Sequence, residues 1–128
     1  MNCTRCWLTL RAWYALARYD IAAALAGFRN MSWRLGPQCA VDHSPGQRRV
    51  DLLCEAVDLA ACLYFKRVRC LQRSSVLVRL LRKHGINGQL VIGYRPTPFL
   101  AHAWVEVEGR VVGDSSAYPE RLKMLHKF

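Results

Sequence analysis

Three residue types that together carry out nucleophilic catalysis occur in the second half of the chain, in the order Cys70, His102, Asp114. A cysteine nucleophile needs a base beside its sulfur, and that base needs an acceptor on its other ring nitrogen. Cysteine, histidine and aspartate suit these roles in acyl transfer. Singly each residue is weak evidence, because a lone cysteine is usually a packing residue and an aspartate before serines is usually a turn former.

Each of these residues lies in a predicted helix or strand. One is at the start of a helix, one is within a strand, and one is at the end of a strand. Cys70 opens the amphipathic stretch "CLQRSSVLVRLLRKHG", and a helix N-terminus favours the thiolate form of a cysteine. His102 lies in "AHAWVEVE", whose strict alternation predicts a half-buried strand, and Asp114 ends the next strand, "RVVGDS". A helix packed on a sheet holds such side chains within hydrogen-bonding reach of one another.

The rest of the chain predicts helices first and strands afterwards. Residues 7–28 have a helical pattern ended by Gly27 or "RNMS", and the Pro- and Gly-rich residues 34–49 form the one candidate linker. A helical pattern resumes at Val50, and after Gly85 the period changes to that of strands, beginning with "QLVIGYR". This order predicts an α+β fold with N-terminal helices followed by an antiparallel sheet.

Within one compact domain overall, the sequence predicts two regions. Residues 1–49 form an N-terminal helical region and loop, and residues 50–128 form the core that carries the candidate triad. A chain of 128 residues is long enough to bury a sizeable core without disulfides.

Composition limits the cellular setting and the type of partner. Nineteen Lys and Arg against nine Asp and Glu leave a net charge of +10, which predicts attraction to an acidic partner or a solvated basic surface. The sequence shows neither a secretory signal nor a membrane-spanning stretch, so we expect a reducing cytoplasm.

The six cysteines are therefore expected to be thiols. Cys54 and Cys62, within a helical apolar pattern, are predicted to be buried. By ligand type, "CTRC" at Cys3 and Cys6 and "CAVDH" at Cys39 and His43 suit zinc, but the helix predicted between them does not match zinc-finger spacing. We therefore predict no metal site and no cofactor.

The region from about residue 50 to 115 resembles a known family, the cysteine-protease (B-type) protein of lasso peptide biosynthesis, in the transglutaminase-like superfamily. The resemblance rests on "CL.RS" opening a helix, "LLRKHGI" closing it, "LVIGYR" on a strand, and "AHAWVEV.G" followed by an aspartate. It implies a transglutaminase-like, papain-like core in which Cys70 is the nucleophile, His102 the base and Asp114 the orienting acid. Gln72 departs from the family, where proline is frequent, at a helix position that tolerates either.

This resemblance also implies a substrate and partners. It implies that the protein removes the leader peptide from a lasso precursor. The implied partners are that precursor, a small leader-recognition protein and an ATP-dependent cyclase. At this length the chain is expected to be the stand-alone protease without the recognition domain.

Two other functions remain open. A transglutaminase or acyltransferase would use the same triad with an amine in place of water. A basic binding module for nucleic acid, or a degenerate scaffold, would use no triad, although the sequence contains no nucleic-acid motif.

The alternation of side chains along strands constrains the triad further. His102 and Trp104 share one face of their strand. A two-residue turn at Glu108-Gly109 would put Asp114 opposite Ala103, on the other face. We therefore predict a three-residue loop, or a two-residue turn followed by a bulge at Gly113, because either would put Asp114 on the His102 face.

Overall fold

Helices precede strands throughout the described part of the chain, which in this computed structural model comprises residues 3–26, 47–96, 99–113 and 122–128. The elements are α1 (Cys3–Ala26), α2 (Gln47–Leu63), α3 (Cys70–Lys83), β1 (Gly88–Pro96), β2 (Phe99–Val107), β3 (Arg110–Val112) and β4 (Lys123–Lys127). The sheet has the order β3-β2-β1-β4, and every neighbouring pair is antiparallel. The predicted α+β class, with N-terminal helices followed by an antiparallel sheet, is confirmed.

Helix α3 lies at the centre of the core. Its apolar stripe, which includes Leu77, Leu80 and Leu81, is buried against α1, α2 and one face of the sheet. Burying one leucine side chain contributes about 1.5–3 kcal/mol, so this stripe does much to hold the layers together. The sheet residues on this face include Ala103, Val105 and Val107.

The end of α3 has the structure that its sequence predicts. Gly85 has a φ of 77°, a left-handed conformation that glycine adopts without strain. The amide of Ile86 donates to the carbonyl of Leu81 (2.9 Å), and that of Gly85 donates to Arg82 (3.1 Å). This is the Schellman arrangement, and it turns the chain sharply from α3 into β1.

One prediction about side-chain burial in α2 is wrong. Cys62 is exposed, whereas Cys54 is buried as predicted. The buried stripe of α2 includes Val57 and Ala60, and Cys62 lies about 200° around the helix from Ala60. The prediction rested on the apolar character of the cysteine side chain. The sequence does not show which face of α2 is covered by α1 and α3.

Arg82, although cationic and near the end of α3, belongs to the core. Its side chain is buried, and its guanidinium donates to the backbone oxygens of Gly88 (3.1 Å) and Phe128 (2.9 Å). A buried charge is tolerated when its donors are satisfied. Arg82 thereby ties α3 to the sheet.

The hairpin between β2 and β3 is tighter than the predicted three-residue loop, which is wrong. Val107 pairs with Arg110, and Glu108 and Gly109 form a two-residue turn with φ values of 53° and 76°. The ladder ends at Val112, and Gly113 follows with a φ of 71°. The alternative of a break at Gly113 concerns the position of Asp114, which lies outside the described residues, so that alternative stays a prediction.

Strand β4 was missed by the sequence analysis. It pairs with β1, and the backbone of His126 lies opposite Ile92. Its five residues, "KMLHK", show too little alternation to be recognised alone. The linker prediction over 34–49 lies outside the described residues up to residue 46, and α2 already begins at Gln47.

A second, smaller apolar cluster covers the other face of the sheet. Trp104, Val91 and Leu122 are buried there. A Cβ atom added to Gly93 would lie 2.6 Å from the Trp104 ring and 3.0 Å from the Cβ of Leu122. The absence of a side chain at Gly93 is what lets the indole lie across β1.

Gly93→Ala is therefore expected to destabilise the fold by about 1–3 kcal/mol, the usual cost of overpacking. Gly88→Ala is the matched control, because there the closest atom (2.8 Å) is the terminal methyl of Leu81, the end of a flexible side chain. Urea unfolding of both variants should show the larger loss at Gly93. An equal or smaller loss at Gly93 would contradict this account of Trp104.

Candidate active site

Cys70 is exposed and is the first residue of α3. The preceding Arg69 is extended (φ −86°, ψ 162°), and its side chain makes no capping hydrogen bond. The first intrahelical bond runs from the Arg73 amide to the Arg69 carbonyl (2.9 Å), so the amides of Cys70, Leu71 and Gln72 lie before it. Arginine is a poor N-cap, and such a helix end presents its N–H groups and positive dipole to an anion.

Two hydrogen bonds connect the first turns of α3 to β2, which carries His102, and to Gly113, which follows β3. Ser74 Oγ donates to the carbonyl of Ala103 (3.1 Å), the residue after His102. Arg73 Nη2 donates to the carbonyl of Gly113 (3.0 Å), the residue before Asp114. Arg73 also forms an ion pair with Asp58 of α2, which holds its guanidinium in place. The first turns of α3 are thus bonded to Ala103 and Gly113, the chain neighbours of His102 and Asp114.

The side chain of His102 lies on the face of the sheet away from α3. It is half-buried, and its ring stacks on that of Trp104 with centroids 6.4 Å apart and an interplanar angle of 20°. Trp104 belongs to the cluster on the second face, whereas Ala103 faces α3. Between β2 and β3 the described ladder ends at the pair Val105–Val112, so the imidazole lies just beyond the end of that ladder.

Asp114, the predicted orienting acid, lies outside the described residues. Its neighbour Gly113 is described, exposed and left-handed, and a Cβ atom there would lie 3.3 Å from Cys54 Sγ and 3.5 Å from Arg73 Nη2. The chain therefore leaves β3 next to the first turn of α3. The assignment of Cys70, His102 and Asp114 as a triad stays a proposal.

A polar cluster between α1 and the first turn of α3 was not found by sequence reasoning. Gln72 is buried and donates from Nε2 to the carbonyl of Leu16 (3.1 Å), which joins α1 to the first turn of α3. Asp20 of α1 accepts a hydrogen bond from the Tyr64 hydroxyl and forms an ion pair with Lys66 Nζ (2.9 Å). The departure from proline that the resemblance gives for Gln72 was the available signal, because the glutamine side chain makes this contact.

The charge state of the cluster follows from these contacts. Burial acts to raise the pKa of Asp20, but hydrogen bonds from Tyr64, Lys66 and Gln72 outweigh it and hold the pKa below its ordinary value. Burial and the same carboxylate raise the pKa of Tyr64. The Asp20 carboxylate is therefore ionised and accepts hydrogen bonds from neutral and cationic donors. Through Tyr64 and Lys66 it holds the segment between α2 and Cys70 against α1.

The cysteines of α2 and α3 differ in exposure and in helix position. Cys70 is exposed at a helix start, Cys62 is exposed in the last turn of α2, and Cys54 is buried. Burial first, and then the nearby Asp58 carboxylate, raises the pKa of Cys54 to about 11. A thiol in that state does not react as a thiolate near neutral pH.

Iodoacetamide at pH 7 is therefore expected to label Cys70 fastest, Cys62 more slowly and Cys54 hardly at all in the folded protein. The helix dipole stabilises an anion at the start of α3 and opposes one at the end of α2. Peptide mapping of a time course would give the three rates. Labelling of Cys62 as fast as Cys70 would contradict a special environment at Cys70.

Only two of the four residues that suit zinc by ligand type lie in the described part of the chain. Cys3 and Cys6 lie one turn apart at the start of α1 and are exposed, whereas Cys39 and His43 lie outside the described residues. Within residues 3–26, 47–96, 99–113 and 122–128, no group of three or more His, Cys, Asp or Glu side chains is arranged to hold a metal ion.

Comparison with known proteins identifies the family. A family model described as the transglutaminase-like superfamily matches residues 15–127, which is most of the chain. The chain belongs to the transglutaminase-like superfamily. The match extends from within α1 to the end of β4, so it includes the helices, the sheet and both described candidate residues of this transglutaminase-like protein.

A curated relative points to a narrower group. The transglutaminase-like chain is 41% identical over 56 residues to the microcin J25-processing protein McjB of Escherichia coli. That stretch covers 44% of this chain and 27% of McjB, so it spans about a quarter of the length of the relative. No solved structure matches the chain.

The length and hydropathy of the described helices can be compared with those of a membrane-spanning helix. None of them is both long enough and apolar enough to cross a bilayer.

Proposed function

We propose that this protein is a cysteine peptidase that removes the leader peptide from a lasso peptide precursor. The observation that carries the proposal is the position of Cys70: an exposed thiol at an uncapped helix start, with the next turn bonded to the neighbours of His102 and Asp114. Its membership of the transglutaminase-like superfamily and its similarity to a microcin J25-processing protein support the choice of substrate.

The proposed reaction is acyl transfer to water. The Cys70 thiolate attacks the carbonyl carbon of the last leader residue, and the N–H groups at the start of α3 stabilise the resulting oxyanion. His102 donates a proton to the leaving amine, which becomes the N-terminus of the core peptide. His102 then takes a proton from water as the water attacks the thioester, and Cys70 is released. Asp114 orients the imidazole throughout.

For this reaction the imidazole of His102 must reach the thiol of Cys70 around the edge of β2. Its ring lies on the Trp104 face, whereas α3 covers the opposite face. The described β2–β3 ladder ends at Val105, so the edge of β2 beside His102 lies past the last described pair. We propose that the imidazole and the thiol approach each other at this edge, on the side of Gly113.

The proposed partners follow from the same substrate. The precursor supplies the scissile bond, a small leader-recognition protein presents it, and an ATP-dependent cyclase then uses the released amine to close the ring. No cofactor is needed for the peptidase step, because thiol, imidazole, carboxylate and water balance the reaction.

The test is to incubate the full chain with a lasso precursor and its recognition protein and to weigh the products. Release of the intact leader with a free carboxylate, and of the core with a free amine, is the expected result. In the presence of a primary amine, a leader carrying that amine would instead support the acyltransferase alternative. An unchanged precursor over a range of precursors would contradict both enzymatic functions.

A further inference from the structure

A groove of about 440 Å³ lies between α1 and α3, on the outside of the helical layer. Four cationic side chains contribute to its walls: Arg11 and Arg18 from α1, and Arg79 and Lys83 from α3. The walls also contain apolar side chains from α1, and of these Leu10 and Tyr14 are 66% and 63% exposed. The groove is thus both basic and apolar.

The cations in this groove repel one another. Burial lowers the pKa of Lys83, and the nearby guanidinium groups of Arg79, Arg11 and Arg18 lower it further. Burial and Arg18 act in the same direction on the pKa of Arg79. A set of converging like charges costs free energy in the unliganded protein, and an anion placed among them relieves that cost.

Several described carboxylates are engaged elsewhere. Glu55 pairs with Arg5, Asp58 with Arg73, Asp20 with Lys66 and Glu106 with Lys127. The residues that the structure describes along the groove include no acidic side chain. Charge complementarity therefore points to carboxylates supplied by another molecule.

The apolar part of the groove limits which kind of molecule can bind there. Leu10 and Tyr14 stand on the α1 wall, and Leu80 of α3 contributes to the opposite wall. The groove is also lined by Trp13, whose ring packs on that of Tyr64 (centroids 5.4 Å apart) and donates to the carbonyl of Leu63 (3.3 Å). Mixed aliphatic and aromatic walls favour an aliphatic or aromatic side chain, whereas a nucleic-acid strand favours a row of exposed aromatic platforms. The volume suits a few side chains of an extended or helical peptide.

We propose that this groove binds an acidic segment of a protein partner, with an apolar side chain between the α1 and α3 walls and carboxylates at Arg18 and Lys83. The proposal does not depend on the peptidase activity, because the groove is formed by the outer sides of α1 and α3 and uses none of the three candidate catalytic residues.

The test uses two fluorescent 12-residue peptides that differ only in charge. One alternates Glu or Asp with Leu and Phe, and the other has Gln and Asn in place of the acids. Fluorescence anisotropy with the full chain should show binding of the acidic peptide, at least about tenfold weaker binding of the amide peptide, and weakening as salt rises.

The variant Arg18→Glu/Lys83→Glu should weaken binding of the acidic peptide by at least about tenfold. Arg49→Glu/Arg110→Glu is the matched control: it makes the same charge change at exposed residues of α2 and β3 and should leave affinity within about twofold. Tyr14→Ser should weaken both peptides.

Three results would overturn the proposal. The first is equal affinity for the acidic and amide peptides, and the second is equal loss in the two double variants. The third is tighter binding of a single-stranded oligonucleotide of the same charge. The comparison of peptides and the salt titration use the unmodified protein, so they decide the question even if a variant fails to fold.

Discussion

Replacing Cys70 with alanine is expected to reduce leader removal by at least about 10³-fold, to the level of the precursor without enzyme, because no thioester can then form. The residue is exposed at the first position of α3, so its loss leaves no cavity in the core. Mass spectrometry of the precursor, incubated with the recognition protein and each variant, would measure the rate.

Cys62→Ala is the matched control for this substitution. Cys62 is also exposed and also lies in a helix, but in the last turn of α2. It should retain leader removal within about twofold of the unmodified protein, since surface substitutions of this kind change stability little. Full activity in purified Cys70→Ala would end the hypothesis of a cysteine peptidase, whatever the control shows.

Replacing His102 with alanine is expected to reduce leader removal by about 10²–10⁴-fold, the usual contribution of a general acid and base. A second measurement separates this role from a structural one. If the imidazole pairs with Cys70, the variant should also slow the labelling of Cys70 by iodoacetamide at neutral pH to the rate that the helix start alone supports. Asp114→Asn should lower the rate severely but leave some activity, because its proposed role is orientation.

Lys123→Ala is a suitable control for His102, since Lys123 is exposed on β4 of the same sheet. The rate of leader removal and the rate of Cys70 labelling should both stay near those of the unmodified protein. His102→Ala with unchanged labelling and unchanged leader removal would refute the proposed pair. Loss of activity with unchanged labelling would place His102 in substrate handling and not beside the sulfur.

Local patterns in the sequence determined much of the scaffold. The spacing of Leu77, Leu80 and Leu81 predicts the buried stripe of α3, and Gly85 predicts its end. The change from helical to strand periodicity after Gly85 predicts the α+β order. These predictions succeed because helix and strand periods, and the left-handed freedom of glycine, depend on near neighbours in the chain.

The candidate site was predicted in type and order but not in geometry. Cys70 at a helix start follows from the pattern, and so do the strand of His102 and the turn at Glu108-Gly109, although not the length of that turn. The face on which the imidazole lies relative to α3 does not follow. Alternation groups residues of one strand, but only packing shows which group meets the helices.

Tertiary structure alone decided the features that depend on residues far apart in sequence. Arg82 is buried because backbone oxygens of Gly88 and Phe128 accept its hydrogen bonds. Gln72 joins α3 to Leu16, and the basic groove exists because α1 and α3 lie side by side. A single sequence shows which residues are cationic, polar or apolar, but their partners are set by how the helices and the sheet pack, and that packing minimises the free energy of the whole chain.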